Sequence, residues 1–197
     1  MRSRSFAIAV CLLLACAARA RAEETIVFFR HGEKPSSGLG QLTCQGLNRA
    51  LALPTLLLGR YGTPDFLYAP NPTAKITDPG GSFYYVRPLA TIEPTAIRAG
   101  RSVNTSVGYS NVSGLEALLI NTAKANDTIF VAWEHTYLQQ TVQDLMNRYG
   151  GGVSVPAWAS TDYDSLYVLH VDYTAGVTAQ FHHDQEGLNG QATSCPE

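Results

Sequence analysis

The chain has 197 residues, enough for one domain with a sizeable core and too few for two comfortable ones. Its composition, 45% hydrophobic and 15% charged, is typical of a globular protein. A formal net charge of −2, with no block of like charge, no low-complexity tract and no repeat, excludes a basic arm for nucleic acid.

The first 22 residues form a predicted signal peptide. A basic start precedes the apolar run Phe6–Cys16, and residues 20–22 (Ala-Arg-Ala) offer a small-x-small cleavage site. The apolar run is too short to span a bilayer, so we expect a secreted or periplasmic single domain over residues 23–197, without stable membrane insertion. The alternative is a bacterial lipoprotein signal, with the mature protein lipid-anchored through Cys16.

Cleavage of this segment would change both the charge and the cysteine content. It would remove four of the 14 Lys and Arg residues and none of the 16 Asp and Glu residues, leaving a formal charge of −6. A negative domain is a poor partner for nucleic acid, so any positive potential must be local. Cys44 and Cys195 would remain, and in an oxidising compartment they favour a disulfide between the C-terminal tail and the first helix; the alternative is free thiols.

Strands and helices are predicted to alternate along the mature domain. Apolar β-rich runs predict strands over residues 25–30, 65–69 and 128–133. Helical periodicity predicts helices over residues 43–61, 88–99, 114–125 and 136–149. Two final runs predict strands over residues 165–173 and 177–181, which would add an antiparallel edge. This order predicts a three-layer α/β sandwich with a mostly parallel central sheet flanked by helices.

Single residues refine these elements. Pro54 is expected to kink or split the first helix, because an interior proline removes one hydrogen bond. Pro88 and Gly100 are expected to open and stop the second helix, and Ser113 to cap the third. The segment from residue 70 to residue 85, rich in Pro, Gly, Asn and Thr, is expected to be a loop.

Side chains able to bind phosphate follow the predicted strands, where ligands bind in such folds. Arg30 and His31 follow the first strand, and His135 follows a later one. A neutral imidazole can attack phosphorus if its other ring nitrogen donates to a carbonyl, and an arginine can hold two phosphate oxygens. We expect these residues and Arg87 to meet around one anion, as phosphoryl transfer requires. Taken singly, each also has a structural explanation, such as a surface arginine or a helix cap.

Three stretches resemble the motifs of the histidine phosphatase superfamily, which contains the cofactor-dependent phosphoglycerate mutases and the histidine acid phosphatases. They are residues 29–35 (Phe-Arg-His-Gly-Glu-Lys-Pro), 87–91 (Arg-Pro-Leu-Ala-Thr) and 133–135 (Trp-Glu-His). Their order and spacing agree with the family, and the resemblance covers nearly all of residues 25–181. It implies a phosphoglycerate mutase-like fold that needs no cofactor and no metal.

The resemblance also implies roles for single residues. His31 would be phosphorylated, and Arg30, Arg87 and His135 would hold the phosphoryl oxygens. Lys34 lies where many relatives have a further arginine, so it is either a substrate-binding charge or a solvated loop lysine.

The general acid departs from the family pattern. Residues 102–113 contain no carboxylate where the mutases have a glutamate, and Thr136 stands where acid phosphatases have an aspartate. Glu134 is the first candidate for a catalytic acid and Glu33 the second, since an acid needs a raised pKa within reach of the leaving group. The alternative is that Glu134 only orients an arginine. Without an acid, good leaving groups are expected: aryl phosphates, acyl phosphates or phosphohistidine.

The sequence therefore predicts an exported, metal-independent phosphatase of small phosphate esters or phosphorylated substrates. One alternative is a phosphomutase, which the signal peptide disfavours. The other is a phosphate-binding protein of the same fold with little or no turnover. A metal site at His182, His183 and Asp184 is disfavoured, because adjacent histidines on a strand point to opposite faces.

Overall fold

The computed structural model describes residues 22–121 and 124–197. The predicted signal peptide lies outside the described residues, apart from its last position. In chain order the described elements are β1 (Glu23–Arg30), α1 (Cys44–Tyr61), β2 (Phe66–Tyr68), β3 (Lys75–Asp78), β4 (Gly81–Tyr84), α2 (Arg87–Ala99), β5 (Val103–Asn104), α3 (Val112–Leu119), β6 (Thr128–Trp133), α4 (His135–Tyr149), β7 (Ser165–Asp172) and β8 (Thr178–Gln185). None of the helices in this part of the chain is long and apolar enough to span a bilayer.

Six strands form the central sheet in the order β5-β2-β6-β1-β7-β8. The first four are parallel, and β7 and β8 extend the sheet as antiparallel strands. One core cluster joins the sheet to α1 and α2, and a second joins it to α3 and α4. This confirms the predicted three-layer α/β sandwich with a mostly parallel sheet.

The alternation of side chains along β1 explains the two core layers. Val27 and Phe29 pack in the cluster that includes α1 and α2, whereas Ile26 and Phe28 pack in the cluster on the opposite face. All four are completely buried, and burial of each such side chain contributes about 1.5–3 kcal/mol. β1 is therefore a fixed support for the residues that follow it.

The register of β1 against β6 determines which residues leave the sheet side by side. Arg30 pairs with Trp133, and the His31 amide continues the ladder by donating to the Trp133 carbonyl oxygen at 3.2 Å. Because the two strands are parallel, the residues that follow them lie at the same edge of the sheet. These residues are His31 after β1, and Glu134 and His135 after β6.

The helices differ from prediction at several points, and α3 ends at Leu119 whereas residue 125 was predicted. α1 continues through Pro54 without a break. α2 begins one residue earlier than predicted, at Arg87, and ends as predicted at Gly100, whose φ of 65° is left-handed. The predicted Ser113 cap is wrong, because the Asn111 side chain accepts from the Gly114 amide at 3.0 Å and starts α3 before residue 113.

The segment predicted as a loop contains the β3–β4 hairpin. Its strands pair antiparallel and are joined by Pro79 and Gly80. The prediction missed it, although Asp-Pro-Gly-Gly is a turn sequence that could have revealed it. β8 also extends further than predicted, to Gln185.

Cys44 and Cys195 form the predicted disulfide, with their Cα atoms 4.5 Å apart. Cys44 is the first residue of α1, so the bond joins the C-terminal tail to that helix. The Asn48 side-chain amide adds hydrogen bonds of 2.8 Å to the carbonyl oxygens of Ala192 and Ser194. The tail is thereby fixed against α1.

Candidate active site

His31 lies directly after β1 and is 2% exposed. Its Nδ1 is 2.7 Å from the Gly32 carbonyl oxygen, and because a carbonyl only accepts, Nδ1 carries the hydrogen. Nε2 is then the nitrogen with an available lone pair. Burial, and next the charges of Arg30 and Arg87, lower the pKa of His31 well below its usual value. The side chain is therefore neutral at pH 7, which is the nucleophilic form.

Arg30 is buried directly before this histidine. Its Nη1 donates to the carbonyl oxygens of Ser160 at 2.7 Å and Asp162 at 2.9 Å, and its Cζ lies 4.0 Å from the Tyr163 ring centroid. Its Nε is buried without a hydrogen-bond partner. Burial lowers the pKa of the guanidinium, since these carbonyl contacts do not replace water completely.

Arg87, the first residue of α2, is held in a similar way by the hairpin. Its Nη1 is 2.7 Å from Asp78 Oδ2 and 3.3 Å from the Gly38 carbonyl oxygen. Asp78 also accepts from the Gly40 amide at 3.1 Å, which joins the hairpin to the loop after His31. The Arg87 Nε is again buried without a hydrogen-bond partner.

The two arginines share an arrangement of donors. Each uses Nη1 for fixed acceptors of the protein and leaves Nε–H unbonded, and Arg87 adds a longer bond of 3.4 Å from one Nη2 hydrogen to Asp78 Oδ1. The Nε and Nη2 hydrogens point the same way and match two oxygens of a carboxylate or phosphate. A buried donor without an acceptor costs about 1–3 kcal/mol, so both arginines are suited to an anionic ligand.

His135 begins α4 beside this group. Its Nδ1 is 2.6 Å from Glu134 Oε1, while Glu134 Oε2 caps the helix by accepting from the amides of Thr136 at 2.9 Å and Tyr137 at 3.1 Å. Burial alone would raise the pKa of Glu134, but His135 and the two amides outweigh it, and the pKa is lowered. A general acid needs a raised pKa, so this environment favours Glu134 as the residue that orients His135.

The predicted residues meet at one place. The charges of Arg30, Arg87 and His135 all act on the pKa of His31, so these three side chains lie within electrostatic range of His31. Lys34 is more peripheral, because its Nζ lies 3.7 Å from Asp78 and its side chain is 29% exposed. The result is a buried cluster of donors around a neutral histidine, with a further positive charge at its border.

No protein-family model and no curated protein matches the chain. Solved structures do match. The chain resembles a protein assigned as phosphohistidine phosphatase SixA from Nakamurella multipartitia (TM-score 0.54, 17% identity, covering 82% of this chain and 96% of that one). It also resembles the mycobacterial glucosyl-3-phosphoglycerate phosphatase, with a TM-score of 0.53 and 11% identity, covering 81% of this chain and 97% of that one. The phosphoglycerate mutase of Plasmodium falciparum matches with a TM-score of 0.52 and 11% identity, covering 80% of this chain and 89% of that one. The chain has the histidine phosphatase fold.

Two glycines bring the loop of this histidine phosphatase fold against α1. A Cβ on Gly32 would lie 2.8 Å from the Gly46 carbonyl oxygen, and a Cβ on Gly46 would lie 2.4 Å from the Glu33 carbonyl oxygen. Both distances are shorter than van der Waals contact allows. The small size of Gly32 therefore serves this close approach of loop and helix.

Glu33, the second candidate for a catalytic acid, is bound elsewhere. Its Oε1 lies 2.7 Å from Nη2 of Arg49, a completely buried arginine of α1 that also binds Asp164 and Glu186. The sequence patterns did not predict this cluster. A signal was present, because Arg49 has the same helical spacing as the buried Leu53 and Leu57 and so lies on the core face of α1.

The C-terminal histidines lie on β8, the edge strand of the sheet. His183 Nε2 is 2.8 Å from the Ser165 hydroxyl, and Asp184 accepts from the Tyr61 hydroxyl at 2.8 Å. Across residues 22–121 and 124–197, no three His, Cys, Asp or Glu side chains are grouped to hold a metal ion.

Proposed function

We propose that the protein is an exported phosphatase that hydrolyses phosphate monoesters through a phosphohistidine intermediate on His31. The observation that carries the proposal is the pair of buried arginines whose Nε donors have no partner, beside a neutral histidine with an available Nε2. Phosphoryl transfer requires fixed donors for the equatorial oxygens and a nucleophile in line with the leaving group.

The reaction has two steps. His31 Nε2 attacks phosphorus, so a P–N bond forms as the P–O bond to the leaving group breaks and the leaving oxygen takes up a proton from solvent water. Water then attacks phosphorus, the P–N bond breaks, and inorganic phosphate leaves with His31 restored. Arg30, Arg87 and His135 would hold the phosphoryl oxygens in both steps, and Lys34 would attract the anion.

We propose that Glu134 orients His135 and that no carboxylate acts as a strong general acid. The lowered pKa of Glu134 and the ion pair of Glu33 with Arg49 support this. Such a site favours substrates whose leaving group departs without much help, such as aryl phosphates, acyl phosphates or phosphohistidine.

Export is part of the proposal and is supported by two features. The predicted signal peptide would direct the chain out of the cytoplasm, and the Cys44–Cys195 disulfide is of a kind that persists in oxidising compartments. Secretion in fusion with a reporter, with and without residues 1–22, tests this part separately.

An aryl phosphate assay on the wild type and on His31→Ala tests the activity, with and without EDTA. We expect turnover that is insensitive to EDTA and falls about 10⁴-fold or more in the variant, because the nucleophile is lost. His182→Ala, which changes an exposed histidine of β8, is the matched control and should keep full activity. Equal activity in wild type and His31→Ala would refute the mechanism.

Two other functions make different predictions in the same experiment. A phosphomutase would need a phosphorylated primer, so primer-independent hydrolysis argues against it. A phosphate-binding protein would be protected by phosphate against heat without any turnover; the low pKa of Glu134 is the observation in its favour.

A further inference from the structure

Tyr85 lies between β4 and α2, two residues before Arg87, and neither the sequence motifs nor the mechanism above uses it. Its side chain is completely buried, and its hydroxyl is buried without a hydrogen-bond partner. A phenylalanine would fill the same space without leaving a polar group unsatisfied. The hydroxyl therefore needs an explanation that the free protein does not supply.

The surroundings of Tyr85 place it in the phosphate site. Its ring centroid is 4.8 Å from the Arg87 Cζ and 6.1 Å from the His31 ring, which it meets edge-on. Arg87, Glu134 and Arg30 act on its hydroxyl through their charges. Arg87 is also close enough to donate a weak hydrogen bond to the hydroxyl oxygen, so it is the hydroxyl hydrogen that has no acceptor. The hydroxyl thus lies among the same side chains that surround the proposed phosphoryl group.

The protonation state of Tyr85 suits a donor. Burial, and to a smaller degree Glu134, raises the pKa of the phenol far above its usual value, against the opposing effect of the two arginines. The hydroxyl therefore keeps its hydrogen at neutral pH. It can donate to an anion but cannot become an anion that competes with it.

The position of Tyr85 is fixed before any ligand binds. Its amide donates to the Ala74 carbonyl oxygen at 2.9 Å, and the next two amides, of Val86 and Arg87, both donate to the Gly40 carbonyl oxygen. Tyr109 packs edge-on against its ring at 5.1 Å. Donors that need no rearrangement are the most effective at stabilising a developing charge.

Apart from His135 Nδ1, which lies 2.6 Å from Glu134 Oε1, three buried donors of this site have no hydrogen-bond partner: the Tyr85 hydroxyl and the Nε groups of Arg30 and Arg87. A ligand with several oxygens satisfies all three at once. We propose that the Tyr85 hydroxyl donates a hydrogen bond to the bound phosphoryl group, as a further substrate-binding residue of the same site. In this inference the identity of the ligand rests on the proposed function, and the choice of Tyr85 rests on its unpartnered hydroxyl.

The test compares two buried tyrosines that differ in their hydrogen bonds. Tyr85→Phe removes a hydroxyl without a partner, whereas Tyr167→Phe removes one that donates to the Pro156 carbonyl oxygen at 2.8 Å. Binding of inorganic phosphate is measured by calorimetry, hydrolysis with an aryl phosphate, and the Tm of the free protein by thermal unfolding.

We expect Tyr85→Phe to weaken phosphate binding about 10- to 100-fold, the effect of losing one hydrogen bond to a charged group, and to lower kcat/KM to a similar extent. Its Tm without phosphate should be unchanged or higher, since the hydroxyl hydrogen has no acceptor in the free protein. Tyr167→Phe should show the reverse, with normal phosphate affinity and a lower Tm.

Unchanged phosphate affinity in Tyr85→Phe would overturn the inference, even if the wild type is an active phosphatase. A lower Tm in Tyr85→Phe with unchanged affinity would do the same and would make the residue structural. If the wild type binds phosphate without hydrolysing it, the proposed turnover fails, while weaker binding by Tyr85→Phe still supports the inference. A wild type that binds no phosphate refutes both.

Discussion

Buried arginines have opposite surroundings in two regions of this molecule. In the closed cluster (Arg49 with Glu33, Asp164 and Glu186), Nε, Nη1 and Nη2 all donate to side-chain oxygens of the protein, Asn189 among them. In the open cluster (Arg30 and Arg87 with His31 and His135), each arginine leaves its Nε without an acceptor.

This difference in hydrogen bonding distinguishes a structural arginine from a ligand-binding one. Around Arg49, three carboxylates face one guanidinium, so the cation is fully compensated inside the protein. In the open cluster, Arg30 is held by carbonyl oxygens and Arg87 by a single carboxylate. Burial alone does not distinguish the two regions; the unpartnered donors do.

Arg49→Met should have the largest effect on stability. It leaves three carboxylates buried near one another without their cation, so we expect the free energy of unfolding to fall by about 3–5 kcal/mol. Urea denaturation measures it. Arg60→Met, at the exposed end of the same helix, is the control and should cost about 1 kcal/mol or less. A loss for Arg49→Met as small as that of the control would contradict the comparison.

Arg30→Met should reduce activity and phosphate affinity strongly and stability little, the converse of Arg49→Met. We expect kcat/KM and the affinity for phosphate to fall about 10²- to 10³-fold, the loss seen when one donor to a developing charge is removed. The free energy of unfolding should stay within about 1 kcal/mol of wild type, since a buried cation without a direct carboxylate partner adds little stability. Steady-state kinetics and urea denaturation on the same protein check both parts. A stability loss equal to that of Arg49→Met would place Arg30 with the structural arginines.

Glu134→Gln tests the role of the carboxylate in the open cluster. Glutamine retains an oxygen for the helix cap, so we expect kcat/KM to fall only about three- to tenfold, against about 10²- to 10⁴-fold for loss of a general acid. The loss should be equal for aryl phosphates with good and poor leaving groups. A loss confined to poor leaving groups would show that Glu134 delivers the proton after all.

Glu186→Gln should have an effect that is visible as a change of stability with pH. Burial raises the pKa of Glu186 to about 8. The charge of Arg49 opposes this shift, and the neighbouring Asp164 and Glu33 add to it. The folded protein therefore keeps a proton that the unfolded chain releases above about pH 4.5, so stability falls as pH rises towards 8. The variant should therefore gain stability relative to wild type by about 1.4 kcal/mol for each pH unit between about 4.5 and 8. The difference should vanish near pH 4.5; a constant difference would exclude this titration.

The layers of the fold were predictable because they depend on local patterns. The apolar runs before Arg30 and Glu134 identify buried strands, and their positions in a parallel sheet bring His31 and His135 to one edge. Arg49 was missed because its partners Glu33, Asp164 and Glu186 lie 16, 115 and 137 residues away along the chain. No local pattern carries information about contacts at such separations.

The hairpin illustrates the same limit within a short segment. Composition alone predicted a loop, so Asp78 was not connected with Arg87. Its role depends on the pairing of Lys75–Asp78 with Gly81–Tyr84, which places Asp78 against the guanidinium. The order of motifs was sufficient to predict the phosphate ligands, but not the residues that hold or supplement them.

The pairing of Arg30 with Trp133 has a consequence for changes in chain length. Side chains on a strand alternate between faces, so deletion of one residue within β1 would carry His31 to the opposite side of the sheet while every residue of the site kept its identity. Homologues that differ in length should therefore carry their gaps in surface connections, such as residues 70–74, and not in these two strands. The site therefore constrains the number of residues in these two strands as well as the identity of its own side chains.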